Sequence, residues 1–556
     1  MNRLFLTAVA GSIIALIASA GAAPQAGKAH GAGLSAEALQ LFAPAAECVA
    51  CHNGLSTTGN EDVSIGTMWR STMMANSARD PYFQAGLRRE TLDHPSQADK
   101  IQDECAGCHA PMLQRAAHAS GQRIDLLAQL AAGADADRKT AEPGHQLARD
   151  GVSCTVCHQI ADVDLGTRNA FNGRFQLAPA SGGVRQAFGP FAVDNGRTRI
   201  MHSVTGFKQA KTTHIRESSL CATCHTLYTQ AHDADGKVVG ELPEQMNFQE
   251  WQHSAFYSEQ RSCQSCHMPQ VTEPTRIASV LGEQREGLGR HLFVGGNFLV
   301  LKILDRFRQD LGVDALPAEL DATAAATRRQ LASDTATMTV RASQVDGSVL
   351  AEVSIVTLAG HKFPTGYPSR RAWLHLTARD AAGRVVFASG APRPDGAIEG
   401  NDSDVDPGRF EPHYDEIAAP DQVQIYETIL GDTGGAPTTG LLRATTYLKD
   451  NRLLPRGFDR TTAHPDIAVH GVATDDRSFT GGGDVVRYRL PAATATIDVD
   501  LRYQPIAYRW VQNLRSYDAP EPRRFVEYFT SMSSESSAVV AHASWNTTTL
   551  GSDPRR

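Results

Sequence analysis

The chain has 556 residues, 41% hydrophobic and 21% charged, the composition of a folded globular protein long enough for two or more domains. Its formal charge of −8 at pH 7 makes nucleic acid and anionic membrane surfaces poor partners, because both would repel it.

In chain order, Met1-Asn2-Arg3, an apolar run over 4–20 and small residues over 18–23 predict a secretory signal peptide at 1–23 and hence a periplasmic or extracellular, bacterial Sec-exported protein. No cysteine precedes Cys48, which excludes a lipid-modified N-terminal cysteine. The later apolar stretch 292–304 is short and interrupted by Asn297 and Lys302, so the processed protein is not expected to be integral to a membrane. Residues 24–34 are Gly/Ala-rich and predict a linker that includes His30. From Ser35, a helix N-cap residue, to residue 334 the pattern predicts helices and long loops, with the clearest helices at 67–92, 122–132, 248–258 and 296–311, and few strands. An Ala-rich connector helix is expected at 316–333. Beyond it, alternation at 337–342, 349–356, 372–378, 385–389, 485–490 and 495–503 predicts strands, and a β-sandwich-like unit over 335–546, followed by a tail at 547–556. The expected class is α+β, with a mostly helical unit at 35–334.

All ten cysteines fall in five Cys-x-x-Cys-His motifs: Cys48/Cys51/His52, Cys105/Cys108/His109, Cys154/Cys157/His158, Cys221/Cys224/His225 and Cys263/Cys266/His267. Disulfides or zinc knuckles would account for the cysteines but not for the adjacent histidines. At this composition roughly 0.01 such motifs are expected by chance, so five with no cysteine left over identify covalent c-type haem attachment. Two thiols take the porphyrin vinyl groups, and the next residue presents its imidazole to the iron. The first cysteines lie 57, 49, 67 and 42 residues apart, too irregular for a structural repeat.

Six segments, Trp69-Arg-Ser-Thr-Met-Met-Ala-Asn-Ser-Ala-Arg-Asp-Pro81, Cys105-Ala-Gly-Cys-His-Ala-Pro-Met112, Asp150-Gly-Val-Ser-Cys-Thr-Val-Cys-His158, Glu250-Trp-Gln-His-Ser254, Cys263-Gln-Ser-Cys-His-Met-Pro269 and His291-Leu-Phe-Val-Gly-Gly-Asn297, resemble the multihaem c-type cytochromes of the cytochrome c-552/c-554 type. They span roughly half the protein. The resemblance implies electron transfer through stacked haems, mostly with two histidines per iron, and does not by itself imply an enzyme. The Cys-x-x-Cys-Lys motif of pentahaem nitrite reductases is absent, and hydroxylamine oxidoreductases carry eight motifs.

Four surplus histidines, His94, His145, His214 and His253, stand seven to eleven residues before a Cys-x-x-Cys pair. In the cytochromes resembled, such a histidine often serves a neighbouring haem, so these four and His291 are the candidate distal ligands. His202 and Met74 are reserves, and His118 and His232 rank below them; Met73 shares the Met74 argument. The segment 360–371 has two readings: His361 meets a haem or metal while Arg370 and Arg371 hold propionates or an anionic partner, or the whole is a Pro/Gly turn with its basic residues paired internally. Asp402, Asp404 and Asp406 are spaced like part of a calcium loop, but Pro407 stands where a glycine is needed, which favours a solvated acidic turn over calcium. Residues 447–458 are expected to form a surface loop.

Together these features predict an exported pentahaem cytochrome, with five covalent haems c, that carries electrons between donor and acceptor proteins, with a membrane-associated complex as one setting. The rival expectations are an oxidoreductase acting on hydroxylamine, nitrite or tetrathionate at one open haem, and a cell-surface docking or assembly cytochrome. Since every motif precedes residue 334, a chain ending there is expected to keep its five haems if the two units fold independently.

Overall fold

The computed structural model describes residues 33–131 and 143–547. The expected signal peptide, all of the linker but Gly33 and Leu34, and all of the tail but residue 547 lie outside them.

The fold is mixed α+β. Ser35 caps a single turn, Ala36–Leu39, by accepting from the Ala38 amide. The helix expected over 67–92 is two helices, Ile65–Arg70 and Pro81–Asp93. Asp80 caps the second through the Tyr82 and Phe83 amides, and Pro81 at the first helical position cannot continue a preceding helix. The stretch 248–258 is likewise split into Asn247–Gln252 and Ala255–Ser258, because Ser254 caps the second piece. Only Leu126–Ala131 of 122–132 is helical among the described residues, and 296–311 shortens to Phe298–Arg306. The connector forms as Pro317–Asp334. Strands are less sparse in this half than expected: Thr226–His232 and Val238–Met246 make an antiparallel hairpin.

All six strands expected beyond the connector are present. Ala336–Val345, Ser348–Thr357 and Gly483–Pro491 pair antiparallel in one sheet, with Val340 opposite Val353 and Tyr488 opposite Ala351. Their burial alternates along the chain, as one-sided packing requires. A second sheet centres on Arg371–Asp380, flanked by Ile425–Asp432 and by Thr494–Gln504, which in turn pairs with Ala538–Asn546. Ile425–Asp432 is buried along nearly its whole length, so both of its faces are covered and no alternation marked it in the sequence. Helices Tyr508–Arg515 and Pro520–Met532, also not among the expected elements, belong to this half.

One hydrophobic core runs across residue 334. It joins Ala85, Leu242, Met246 and Phe298 to Leu374, Leu501, Tyr503 and Phe525. Helix Pro520–Met532 lies on Pro81–Asp93, with the Phe525 and Tyr82 rings 5.0 Å apart and Arg88 bidentate to Glu521 at 2.9 and 2.8 Å.

Most of the expected surface loop at 447–458 is instead buried, with Arg456 and Gly457 left exposed. Lys449, Asp450, Asn451, Leu453 and Leu454 are all at most 2% exposed. Their charges are satisfied internally, Lys449 by Glu427 and Asp450 by Lys362 and Arg452, so polarity did not signal exposure.

Candidate functional site

All five Cys-x-x-Cys-His motifs line one cavity of about 2090 Å³. That is several times the volume of a pocket for one small ligand, about 300–1,000 Å³. The motifs sit on short helices or turns, Ala45–Val49, Ala98–His109, Cys154–Cys157, Ser218–His225 and Cys263–His267, so one helical turn sets each pair of sulfurs. None of the ten cysteines is in a disulfide. Sulfurs of different motifs meet: Cys48 with Cys154, Cys108 with Cys224, and Cys221 with Cys263. Cys157 lies near enough to Cys221 and Cys224 to interact with them electrostatically, and all five motifs face the same cavity.

Four of the motif imidazoles are held alike. Nδ1 of His52, His109, His158 and His267 bonds the carbonyl of Ile277, Ser77, Phe188 and Val294 respectively, which fixes the proton on Nδ1 and leaves the Nε2 lone pair for a metal. Burial pushes His109 and His225 down to about 4 and lowers His52, His158 and His267, so all five are neutral at pH 7, the form that binds iron.

The surplus histidines divide sharply. His291 donates from Nδ1 to Gly289 and faces His158, with ring centroids 6.4 Å apart and planes 16° from parallel. His361 donates to the Lys362 carbonyl and faces His267 at 6.2 Å and 9°. His145 and His94 are buried, and the Nε2 of each has no hydrogen-bond partner. Such orphaned nitrogens cost about 1–3 kcal/mol each unless another group takes them. His214 is differently placed: Nε2 donates to Ile160 and Nδ1 accepts from Thr212, so neither nitrogen is available to iron. His253 spends Nε2 on the Asp459 carbonyl and sets its ring against Phe458. His118 pairs with Asp103 and His232 with the Gly236 carbonyl. His202 lies on Asn195–Thr205, where its neighbour Met201, not His202 itself, lines the cavity; Met73 and Met74 line it too.

These features fit c-type haem, the group the motifs imply: paired thiols, neutral imidazoles with free Nε2 atoms, and a continuous cavity between them. The acidic segment does not fit calcium. Asp404 is bidentate to Arg371 at 2.8 and 2.9 Å, Asp402 pairs with Arg409, and Asp406 accepts from the Gly408 amide. Nor is it a solvated turn throughout, since the Asp404–Arg371 pair is buried. Arg371 is therefore committed inside the protein, whereas Arg370 lines the cavity and donates to the Thr365 carbonyl. His361 was weighed in the sequence as one of two readings of a turn; no spacing could have tied it to a motif almost 100 residues earlier.

No family model matches the chain, and no curated protein matches it. Among solved structures it is similar to a penta-heme cytochrome c552 from Thermochromatium tepidum, with 17% sequence identity, a TM-score of 0.49, and coverage of 91% of this chain and 99% of that one.

Proposed function

We propose that this protein is an exported pentahaem c-type cytochrome that carries electrons between redox partner proteins. The observation that carries the reading is the convergence of all five attachment motifs on one cavity, with three sulfur pairs from different motifs in contact. When bound, haem supplies a one-electron iron couple whose potential follows its axial ligands. The ten thiols would hold five such groups as near neighbours around the one cavity. The motif imidazoles, four of them oriented by backbone carbonyls, would hold the irons, and His291, opposite His158, would offer a second imidazole to one of them. Two imidazoles on an iron favour a low potential, which suits respiratory electron delivery. Val156, Ile160, Leu220 and Leu288 on the cavity wall keep water from the groups held there.

The open-haem oxidoreductase is the second reading, favoured by one feature. Among the described residues, His158 and His267 face a second imidazole, whereas the ring contacts of His52, His109 and His225 include none. Mass spectrometry of mature protein tests the haem reading: the expected mass is about 3.1 kDa above the processed chain, for five thioether-linked groups. A smaller increment would remove at least one motif from the set. Electron paramagnetic resonance then separates the two functions, since only low-spin signals are expected of a carrier, and a high-spin signal accompanied by turnover of nitrite or hydroxylamine would favour the enzyme.

A further inference from the structure

We propose that His361 is the second axial imidazole for the iron held by Cys263, Cys266 and His267, so that the strand-rich half of the chain supplies a haem ligand to a motif in the other half. This rests on the haem reading above. The His267 and His361 rings are nearly parallel, 9° apart, with centroids separated by 6.2 Å. The other two ring pairs within 10° of parallel stack far closer, 3.6 Å for Phe83 on His109 and 3.7 Å for Phe307 on Tyr528. The wider gap matches a bridging metal. Nitrogen–metal bonds of about 2.0 Å, with each ring centroid about 1.1 Å behind its nitrogen, put two coaxial imidazoles about 6.2 Å apart.

Three further observations point the same way. Both rings line the cavity. Both tie Nδ1 to a backbone carbonyl, His267 to Val294 and His361 to Lys362, which leaves both Nε2 lone pairs free. Neither Nε2 has a protein partner among the described residues. Distance alone would not suffice: His94 and His232 are also 6.2 Å apart, but at 60°, neither belongs to a motif and neither lines the cavity.

The loop bearing His361 is built to hold one position. Gly360 lies against the Phe256 ring, where a Cβ would come within 3.2 Å. Phe363 and Leu453 exchange backbone hydrogen bonds, both 2.8 Å. Lys362 is 0% exposed, and its ammonium pairs with Asp450 at 2.7 Å. Glu250, thirteen residues before Cys263, accepts from the Lys362 amide at 3.2 Å and the Thr365 hydroxyl at 2.5 Å, and its other oxygen meets Arg452 at 2.9 Å. Lys362, Glu250 and Asp450 are thus positioning residues for the imidazole.

Full-length His361→Gly and His361→Met, compared with wild type by mass, paramagnetic resonance and redox titration, test this. His361→Gly is expected to keep five haems, turn one of them high-spin, and recover the low-spin signal on addition of imidazole. His361→Met is expected to raise one midpoint potential and leave four in place, and it retains a side chain of similar bulk should the glycine variant fail to mature. Five retained haems with unchanged spin states in the first variant, or unchanged potentials in the second, would overturn the assignment while leaving the carrier reading intact. Wild type lacking covalent haem would instead overturn the reading beneath it.

Discussion

A histidine engaged through both ring nitrogens has no lone pair for a metal, and His214 is in that state, with His253 half way there. His214→Ala and His253→Ala are therefore expected to leave every haem spin state and potential unchanged, whereas His291→Gly should convert one haem to high spin; paramagnetic resonance reads all three. A new high-spin signal in His253→Ala would restore it as a ligand through Nδ1. A second effect at this scale concerns pH. Burial raises the Glu244 carboxyl from 4.5 to about 7. Between those values the folded protein holds a proton that the unfolded chain has released, so this group's contribution to stability falls as pH rises from about 4.5 to 7. By pH 8 the loss approaches about 3 kcal/mol. Glu244→Gln should flatten that slope, giving a larger gain in urea midpoint at pH 8 than at pH 5; equal gains would show that the carboxyl titrates normally.

Among the elements, the helix Pro520–Met532 fastens the C-terminal half to Pro81–Asp93. Its Phe525 is fully buried against Tyr82. Phe525→Ala should cost about 3–5 kcal/mol, seen as a fall in unfolding midpoint with haem content preserved. A change under about 1 kcal/mol would mean the joint is loosely packed. The buried strand Ile425–Asp432 was not marked in the sequence because a period-2 pattern appears only where one face meets water; Pro520–Met532 does carry a helical pattern, with Phe525, Val526, Phe529 and Met532 buried and Arg523, Glu527 and Thr530 exposed, although it is not among the expected helices. The strands that were legible, such as Ser348–Thr357, are those whose burial alternates. Helix boundaries failed where a side chain starts a new helix inside the expected one, as the N-caps Asp80 and Ser254 do.

At the level of the whole molecule, the continuous core bears on how the chain can be divided. A chain ending at Asp334 would strip the core of Leu374, Leu501, Tyr503 and Phe525 and expose Ala85, Leu242 and Phe298. It is expected to aggregate or mature with fewer than five haems, checked by gel filtration and mass; a monodisperse pentahaem product would show that the halves fold independently. The network around Lys362 adds to this dependence. Burial alone would raise the Asp450 carboxyl, but Arg452 and Lys362 hold it well below the carboxylate range. Removing one member strands a buried charge, at a cost of about 3–5 kcal/mol. The attachment signature was legible in the sequence, because its two thiols and adjacent imidazole stand within five consecutive residues, and no distant segment can alter that spacing. Which further imidazole faces which motif was not, because such partners come from remote segments: 133 residues separate His158 from His291, and 94 separate His267 from His361. Only the packing that buries Lys362, Asp450 and Glu250 together brings the rings of the second pair to within 6.2 Å.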